Sequence, residues 1–487
     1  MVDEQVERED KYDVGPGFVL PELTSGGDSL SAVTTTHQLE AVYYDTAGRD
    51  LMRHRLTLRR RTGGTDAGWH LKVPGRDGRT EIRVESRAAG VPRELSQLLR
   101  GVTRGQRLTP AARLTTERVS TVLTDAAGNV LADVALDHVH SATMGDHAVL
   151  DEWHELEVEL GPAGDTELLR LGAVVSGAGA VPSASASKAA RALGPLTQPP
   201  DRRRLSGLVD DYLRAQVEAI VAGDLGLRRE LDVIHPTRVA ARRLRSTLRT
   251  MHELFEPSAA SVLEVELRWY AGVLGAVRDL DILRPRLVKR LSALPPELRV
   301  GPVEATLVSK LAADRGVAWR TLLRTLNGRR YRALLNLLEQ WRVDPPYTAV
   351  GDDPRKSAVG YVDRAERLLR KRLRKAADPE AADDLVHRAR KAGKRFRYAV
   401  ELAEPVLGNS AAETIQFAKD LQDQLGDYQD SVVSAELLHR LGATSGAAKG
   451  HNGFTYGVLM AQEQARARQI RGEIAPPSVR GADAASR

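Results

Sequence analysis

The 487-residue sequence has no cysteine, so disulfides and thiolate metal sites are excluded and any metal must sit on oxygen or imidazole ligands. Hard cations such as Mg²⁺ or Mn²⁺ are the first expectation. Aromatic side chains make up only 4% of the residues, too few to suggest a stacking platform for nucleic acid. No stretch approaches the roughly 18 to 20 apolar residues of a membrane span, and the N-terminus, MVDEQVEREDKYDV, is acidic without an apolar core. A cytoplasmic protein with no membrane partner is expected. A dominant charge of one sign is also lacking, since 71 basic residues face 65 acidic ones. The distribution is uneven, however: residues 1–200 carry 22 basic and 28 acidic side chains, and residues 201–487 carry 49 and 37. The two parts are built for different electrostatic work.

Up to about residue 160 the apolar residues recur with period two in LTLRRR (56–61), LADVALD (131–137) and WHELEVEL (153–160), which predicts antiparallel strands. Short helices are expected at Glu167 to Leu171 and Ser187 to Leu193. From Leu205 to about Leu441 the period becomes 3.6, rich in Leu, Ala, Arg and Glu, with breaks at 294–302 and 344–354. The fold class expected is therefore α+β and multidomain: an N-terminal antiparallel β-barrel domain with flanking helices over 1–195, a linker over 196–204, an all-α bundle over 205–455, and a disordered tail over 473–487.

Strand side chains alternate faces, so Glu7, Glu9 and Lys11 share one side, as do Glu155, Glu157 and Glu159. Arg59 pairs with Arg61 in the same way, Asp133 with Asp137, and Arg83 with Glu85. One Glu-x-Glu run is usually the solvated face of an edge strand. Several charged runs of matching parity, backed by Leu and Val in all but the first, where Arg8 and Asp10 stand between the charged positions, instead suggest a barrel with an ionic interior. Carboxylates that hold cations beside Arg and Lys that neutralise phosphate oxygens suit a metal–polyanion ligand.

The helical part contains a repeat. HPTRVAARRLR (235–245) matches HRARKAGKRFR (387–397), and LGAVRDLD (274–281) is echoed by LGDYQDSV (425–432), so two halves are expected, each a basic helix followed by a Gly-Asp turn. On a helix, His235, Arg238, Arg242, Arg245 and Arg249 fall on one face. His387, Arg390, Lys394 and Arg397 form the second stripe, bordered by Lys391 and Arg395, and Arg364, Arg367, Lys371 and Arg374 make a third basic run. Like charges at these spacings repel, so a polyanion that relieves them is the natural partner.

With Glu7, Glu9 and Lys11 as Glu-x-Glu-x-Lys, followed by YYDT (43–46), LTLRRR, HLKV (70–73), IRVE (82–85), VALD (134–137), ELEVEL (155–160) and SKAARAL (187–193), residues 4–195 resemble the CYTH family of triphosphate tunnel enzymes. That resemblance implies a triphosphatase using Mg²⁺ or Mn²⁺, with Glu7, Glu9, Glu157 and Glu159 as the best metal ligands and Asp133, Asp137 and Glu155 beside them. Lys11, Arg59, Arg61, Lys72, Arg83, Arg118, Lys188 and Arg191 would hold phosphate. The catalytic set implied is Glu7, Glu9, Lys11, Glu157 and Glu159. In-line attack of water on a terminal phosphorus needs no covalent nucleophile.

The stripes resemble the CHAD family of histidine-bearing helical domains, over about 205–455, which implies binding of inorganic polyphosphate and association with polyphosphate granules. Asp279 and Asp430 are expected to cap helices or pair with arginines. Two other functions fit the same residues: a non-catalytic polyphosphate-binding, granule-associated protein, and a CYTH-type adenylate cyclase. Nucleic acid is not the expected partner.

Overall fold

The structure is a computed structural model that describes residues 2–474 apart from 25–29, 65, 76–77, 87, 89, 146–147, 165, 197–200, 379–381 and 446–451. Residues 197–200 of the expected linker and 475–487 of the expected tail lie outside the described residues. The chain divides into two compact units, Met1–Pro199 and Pro200–Arg487.

The period-two runs of the first unit form strands β1 (Val2–Glu7), β2 (Glu9–Val14), β3 (Ser31–Asp45), β4 (Thr57–Thr62), β5 (Gly68–Pro74), β6 (Arg79–Val84), β7 (Thr109–Thr124), β8 (Val130–Thr143), β9 (Leu150–Leu160) and β10 (Val181–Pro182). They make one antiparallel sheet in the order β1-β6-β5-β4-β3-β7-β8-β9-β2-β10. The expectation was a closed barrel, whereas this hydrogen-bonded order is open, with β1 and β10 at its ends. The difference arises at Arg8, where one extended segment divides: Val2–Glu7 pairs with β6 and Glu9–Val14 pairs with β9.

Glycine places the β4–β5 turn. Gly63 has φ +80°, and a Cβ there would stand 2.3 Å from the Gln38 carbonyl oxygen, so a side chain would be both strained and blocked. Short helices α1 (Asp50–Arg53), α2 (Arg93–Leu98) and α3 (Arg100–Thr103) fill connections, and α4 (Glu167–Gly177) and α5 (Lys188–Leu193) follow the last long strand. Leu171 and Val175 of α4 are buried against Val134, Leu156 and Val158, on the face opposite the charged residues. Burial of each such side chain contributes about 1.5–3 kcal/mol, which holds α4 to the sheet. The N-cap of α5 is Ser187, whose hydroxyl accepts from the Ala190 amide at 3.1 Å. Ala189 then packs with Tyr43, Ala112, Leu114, Val139 and Trp153, so α5 sits on the charged side of the sheet and carries Lys188 into it.

The second unit is helical: α6 (Leu205–Arg228), α7 (Ile234–Thr250), α8 (Pro257–Ser292), α9 (Val303–Leu326), α10 (Arg329–Val343), α11 (Ala358–Ala376), α12 (Asp383–Leu407), α13 (Ser410–Ser445) and α14 (Phe454–Gly472). Helical structure thus runs past residue 455, because Tyr456 and Leu459 of α14 are buried with Leu287, Leu291, Leu307 and Leu438. The expected Gly-Asp turns are not turns. Residues 274–281 lie inside α8 and 425–432 inside α13, both helices of 36 residues. The two stripe-bearing helices, α7 and α12, pack against each other.

Candidate functional site

Alternation brings the charged residues of eight strands together around a cavity of about 460 Å³. Its walls include Glu7, Glu9 and Lys11 from the first segment, Arg59 and Arg61 from β4, Lys72 from β5, Arg83 from β6, Arg118 from β7, Asp133 from β8 and Glu157 and Glu159 from β9. Lys188 enters from α5.

The carboxylates fall into two groups with opposite electrostatics. Asp137, Glu155 and Glu157 bring oxygens within 4.8 Å of one another, but cations already fill the space between them. Lys188 Nζ lies 2.9 Å from Asp137 and 2.8 Å from Glu157 and also pairs with Glu155. Arg118 donates to both Asp137 oxygens, at 2.8 and 2.6 Å, and to Glu157 at 2.6 Å. Lys11 pairs with Glu157 and with Glu9. Burial alone would raise the Glu157 pKa, but Lys11, Lys188 and Arg118 hold it well below the usual carboxylate range. Burial likewise opposes the charge on Lys188, and Asp137, Glu157 and Glu155 more than offset it, raising its pKa.

Glu159 belongs to the second group. It stands opposite Glu9 in the β2–β9 ladder and opposite Asp133 in the β8–β9 ladder. Burial, then the charges of Glu7, Glu9 and Glu157, push its pKa up to about 7 against the pull of Lys72. Glu7 is also raised, by burial first and then by Glu81 and Glu9, although Lys72 Nζ is 2.5 Å away. This end of the cavity has surplus negative charge.

Arg191 does not line the cavity. Its guanidinium instead bonds Asp13 at 2.6 Å and lies 4.8 Å from the centre of the Trp153 ring, on the charged side of the sheet but outside the lining. Asp137 and Glu155 also lie behind the wall. Sequence reasoning missed Tyr43, Asp66, Arg79 and Glu81, all of which line the cavity. Glu81 is fully buried and faces Arg59 at 3.4 Å, His70 at 3.2 Å and Arg83. Its parity with Arg83 was the available signal.

In the helical unit a second cavity, of about 500 Å³, is lined by Arg238, Arg242, Arg245 and Arg249 of α7 and by His387, Arg390, Lys391, Lys394 and Arg395 of α12. Arg268 and Asp279 of α8 and Gln429 and Asp430 of α13 complete it. Arg238 reaches Asp279 at 3.4 Å, and His387 Nδ1 is 2.9 Å from Gln429 Oε1. Among the described residues no ion pair joins Arg242, Arg245, Arg390 or Lys394 to a carboxylate. Burial first, then Arg242, Arg390 and Arg238, bring the Lys394 pKa down to about 5 against Asp430.

Two stripe residues lie elsewhere. His235 is exposed at the start of α7, outside the lining, with its pKa lowered by burial and by Arg278, Arg238 and Arg242. Arg397 bonds Glu401 at 2.8 Å and Gln422 at 3.2 Å on the flank of α12. Three turns of a 3.6-residue helix from His387 end nearer to position 398, and Tyr398 lines the cavity instead. The third basic run is on the outer side of α11: Arg364, Arg367, Lys371 and Arg374 are all exposed.

A CYTH domain model matches residues 11–192 and a CHAD domain model residues 211–439. An uncharacterized protein of Mycobacterium tuberculosis, found in two strains, is 36% identical over 501 residues, covering 96% of this chain and 95% of its own. Among solved structures, PptA from Streptomyces chartreusis is 21% identical and spans 55% of this chain and 98% of that one, with a TM-score of 0.47. The CHAD domain from the plant Ricinus communis is 26% identical over 57% of this chain and 94% of that one, with a TM-score of 0.43. Among the described residues no helix is long and apolar enough to cross a membrane.

Proposed function

The chain belongs to the family that joins a CYTH domain to a CHAD domain, and from that premise we propose that its first unit hydrolyses inorganic triphosphate or short polyphosphate with a divalent cation while its second unit binds polyphosphate. The observation that carries the proposal is the cavity of the first unit, whose wall sets Lys11, Arg59, Arg61, Lys72 and Arg118 together with the carboxylates Glu7, Glu9 and Glu159. A tunnel is part of this reading, since a segment that pairs with β6 through one half and β9 through the other behaves as the strand that completes a barrel.

The residues fit a cation. Glu7, Glu9 and Glu159 would hold it, because their mutual repulsion is relieved by a dipositive charge and their all-oxygen donors suit Mg²⁺ or Mn²⁺. Asp137, Glu155 and Glu157 are already neutralised by Lys188, Arg118 and Lys11, and serve to hold those cations in place. When bound, the metal supplies charge neutralisation and a more acidic water. The arginines and lysines orient the phosphate chain so that a water oxygen bonds the terminal phosphorus as the bridging P–O bond opens; the shortened chain leaves with that bridging oxygen, the water gives up a proton to solvent, and the terminal phosphoryl group is released as orthophosphate. In the second unit, α7 and α12 act as equivalent helices of two repeats and present their cations to one chain of phosphates.

The test is incubation of the full chain with triphosphate, ATP, thiamine triphosphate and long polyphosphate, with and without Mg²⁺ or Mn²⁺, while orthophosphate and pyrophosphate are both measured. Metal-dependent orthophosphate from triphosphate is expected. Pyrophosphate from ATP would point to a cyclase, and binding without turnover to a receptor.

A further inference from the structure

Strand β8 is chemically two-sided. Asp133 and Asp137 face the carboxylate-bearing side, while His138 and His140 project on the opposite face of the sheet. In the ladder with β9, His138 lies opposite His154 and His140 opposite Glu152, so one patch collects three of the chain's 12 histidines and a carboxylate. On the other side, the ladder with β7 sets Glu117 opposite His138.

The side chains converge. His138 Nε2 is 2.7 Å from Glu152 Oε1, and His140 Nδ1 is 3.6 Å from Glu152 Oε2. One ligand atom from each of His138, His140 and Glu152 lies within 4.8 Å of the others. Tetrahedral bonds of about 2.0–2.2 Å to a metal place neighbouring ligand atoms about 3.3–3.5 Å apart, a distance that small side-chain rotations reach from here. The His154 ring is stacked on that of His138 at 4.2 Å and 7°, which fixes the plane of the His138 imidazole. Half-exposed His140 and Glu152 leave the patch open to solvent.

We propose that His138, His140 and Glu152 form a second metal site, on the face of the sheet away from the phosphate cavity, selective for a borderline divalent cation of the Zn²⁺, Ni²⁺ or Cu²⁺ class. The donor chemistry separates it from the cavity. All-oxygen donors among lysines and arginines suit hard cations, whereas two imidazoles and one carboxylate are the ligand set of Zn²⁺ sites that keep an open position. Bound there, an ion clips β8 to β9 across the strands that carry Asp137, Glu155 and Glu157 on their other side. The site does not depend on the function proposed for the cavity.

The experiment is calorimetric titration of the tag-free full chain with Zn²⁺, and of its Cu²⁺ form by electron paramagnetic resonance. Wild type is compared with His138→Gln/His140→Gln, with Glu152→Gln and with the cavity variant Glu159→Gln. One Zn²⁺ equivalent and nitrogen hyperfine structure are expected in wild type and in Glu159→Gln. Both should be lost, with the far-ultraviolet circular dichroism unchanged, in the histidine variant, and affinity should fall at least tenfold in Glu152→Gln. A Zn²⁺ equivalent that survives the double histidine substitution, or one that disappears with Glu159→Gln, overturns the proposal.

Discussion

Gly275 of α8 lies directly under the guanidinium of Arg238: a Cβ at position 275 would stand 3.0 Å from Arg238 Nη2 and 3.2 Å from Nε. The glycine that the sequence offers as a turn signal is a helix-interior residue that lets a cation lie flat on its neighbour. Gly275→Ala should therefore separate stability from binding. Alanine favours the helix by up to about 1 kcal/mol, and the flexible Arg238 end can move aside. Thermal stability is expected to hold or rise slightly while polyphosphate affinity falls roughly five- to tenfold, a loss of about 1 kcal/mol. Calorimetric melting and a polyphosphate titration check the pair, and unchanged affinity would return Arg238 to a purely structural role.

Lys394 should make polyphosphate binding pH-dependent. Arg238 and Arg242 of α7, Arg390 of α12 and Asp430 of α13 face it, and with its pKa near 5 it is uncharged in the free protein at neutral pH. An unfolded lysine titrates near 10.4, so between about pH 5 and 10 the unfolded chain holds the extra proton and this group's contribution to stability rises with pH. A polyanion reverses the bias by favouring the ammonium. Binding should take up about one proton at pH 7 and weaken as pH rises. Calorimetry in buffers of different ionisation enthalpy measures the uptake, and Lys394→Met should abolish it while raising ligand-free stability by about 1–2 kcal/mol.

The two carboxylate groups predict opposite results in the first unit. Asp137→Asn removes one of the three carboxylates that Arg118, Lys188 and Lys11 share, leaving a surplus buried cation beside Glu155 and Glu157, and should cost about 3–5 kcal/mol of stability. Glu159→Gln removes a repelled carboxylate, so the metal-free protein should be as stable as wild type or more so, with cation affinity reduced at least tenfold. Denaturant unfolding with and without Mg²⁺ separates them. Equal destabilisation by both substitutions would falsify the division.

Arg390 and Arg397 are about two helical turns apart on α12 yet should behave differently. Arg397→Ala breaks flank bonds with Glu401 and Gln422 and is expected to change polyphosphate affinity less than twofold. Arg390→Ala removes a cation from the lining and should weaken binding about tenfold at low salt, with the difference shrinking as ionic strength rises. Titrations at two salt concentrations decide it.

The charged wall of the cavity was legible because strand side chains alternate with a period of two, which fixes the face of Glu7, Glu157 or Arg59 without knowledge of the partner strand. Helical positions were less so. Over three turns the mismatch between integer spacing and 3.6 residues moves Arg397 off the groove and Tyr398 onto it, and one turn of α5 does the same to Arg191. Glycine was misread because its two uses, permitting a turn and permitting close approach, leave the same letter; the neighbour that distinguishes them, Arg238, is far away in sequence. The two carboxylate groups were invisible for a related reason. Which acid meets a counter-charge depends on Lys188 and Arg118, contributed by elements remote from β9.

The division of the first extended segment at Arg8 has a consequence for how the protein is made. Residues 2–7 need Arg79–Val84, and residues 9–14 need His154–Glu159, so this segment finds its second partner only after about 150 further residues have been synthesised. Until then Lys11 lacks Glu157 and residues 9–14 lack their neighbouring strand. Such long-range pairing makes the N-terminal segment a late step in folding. Deletion of residues 1–14 should leave β9 and β6 each with an unpaired edge and promote edge-to-edge association.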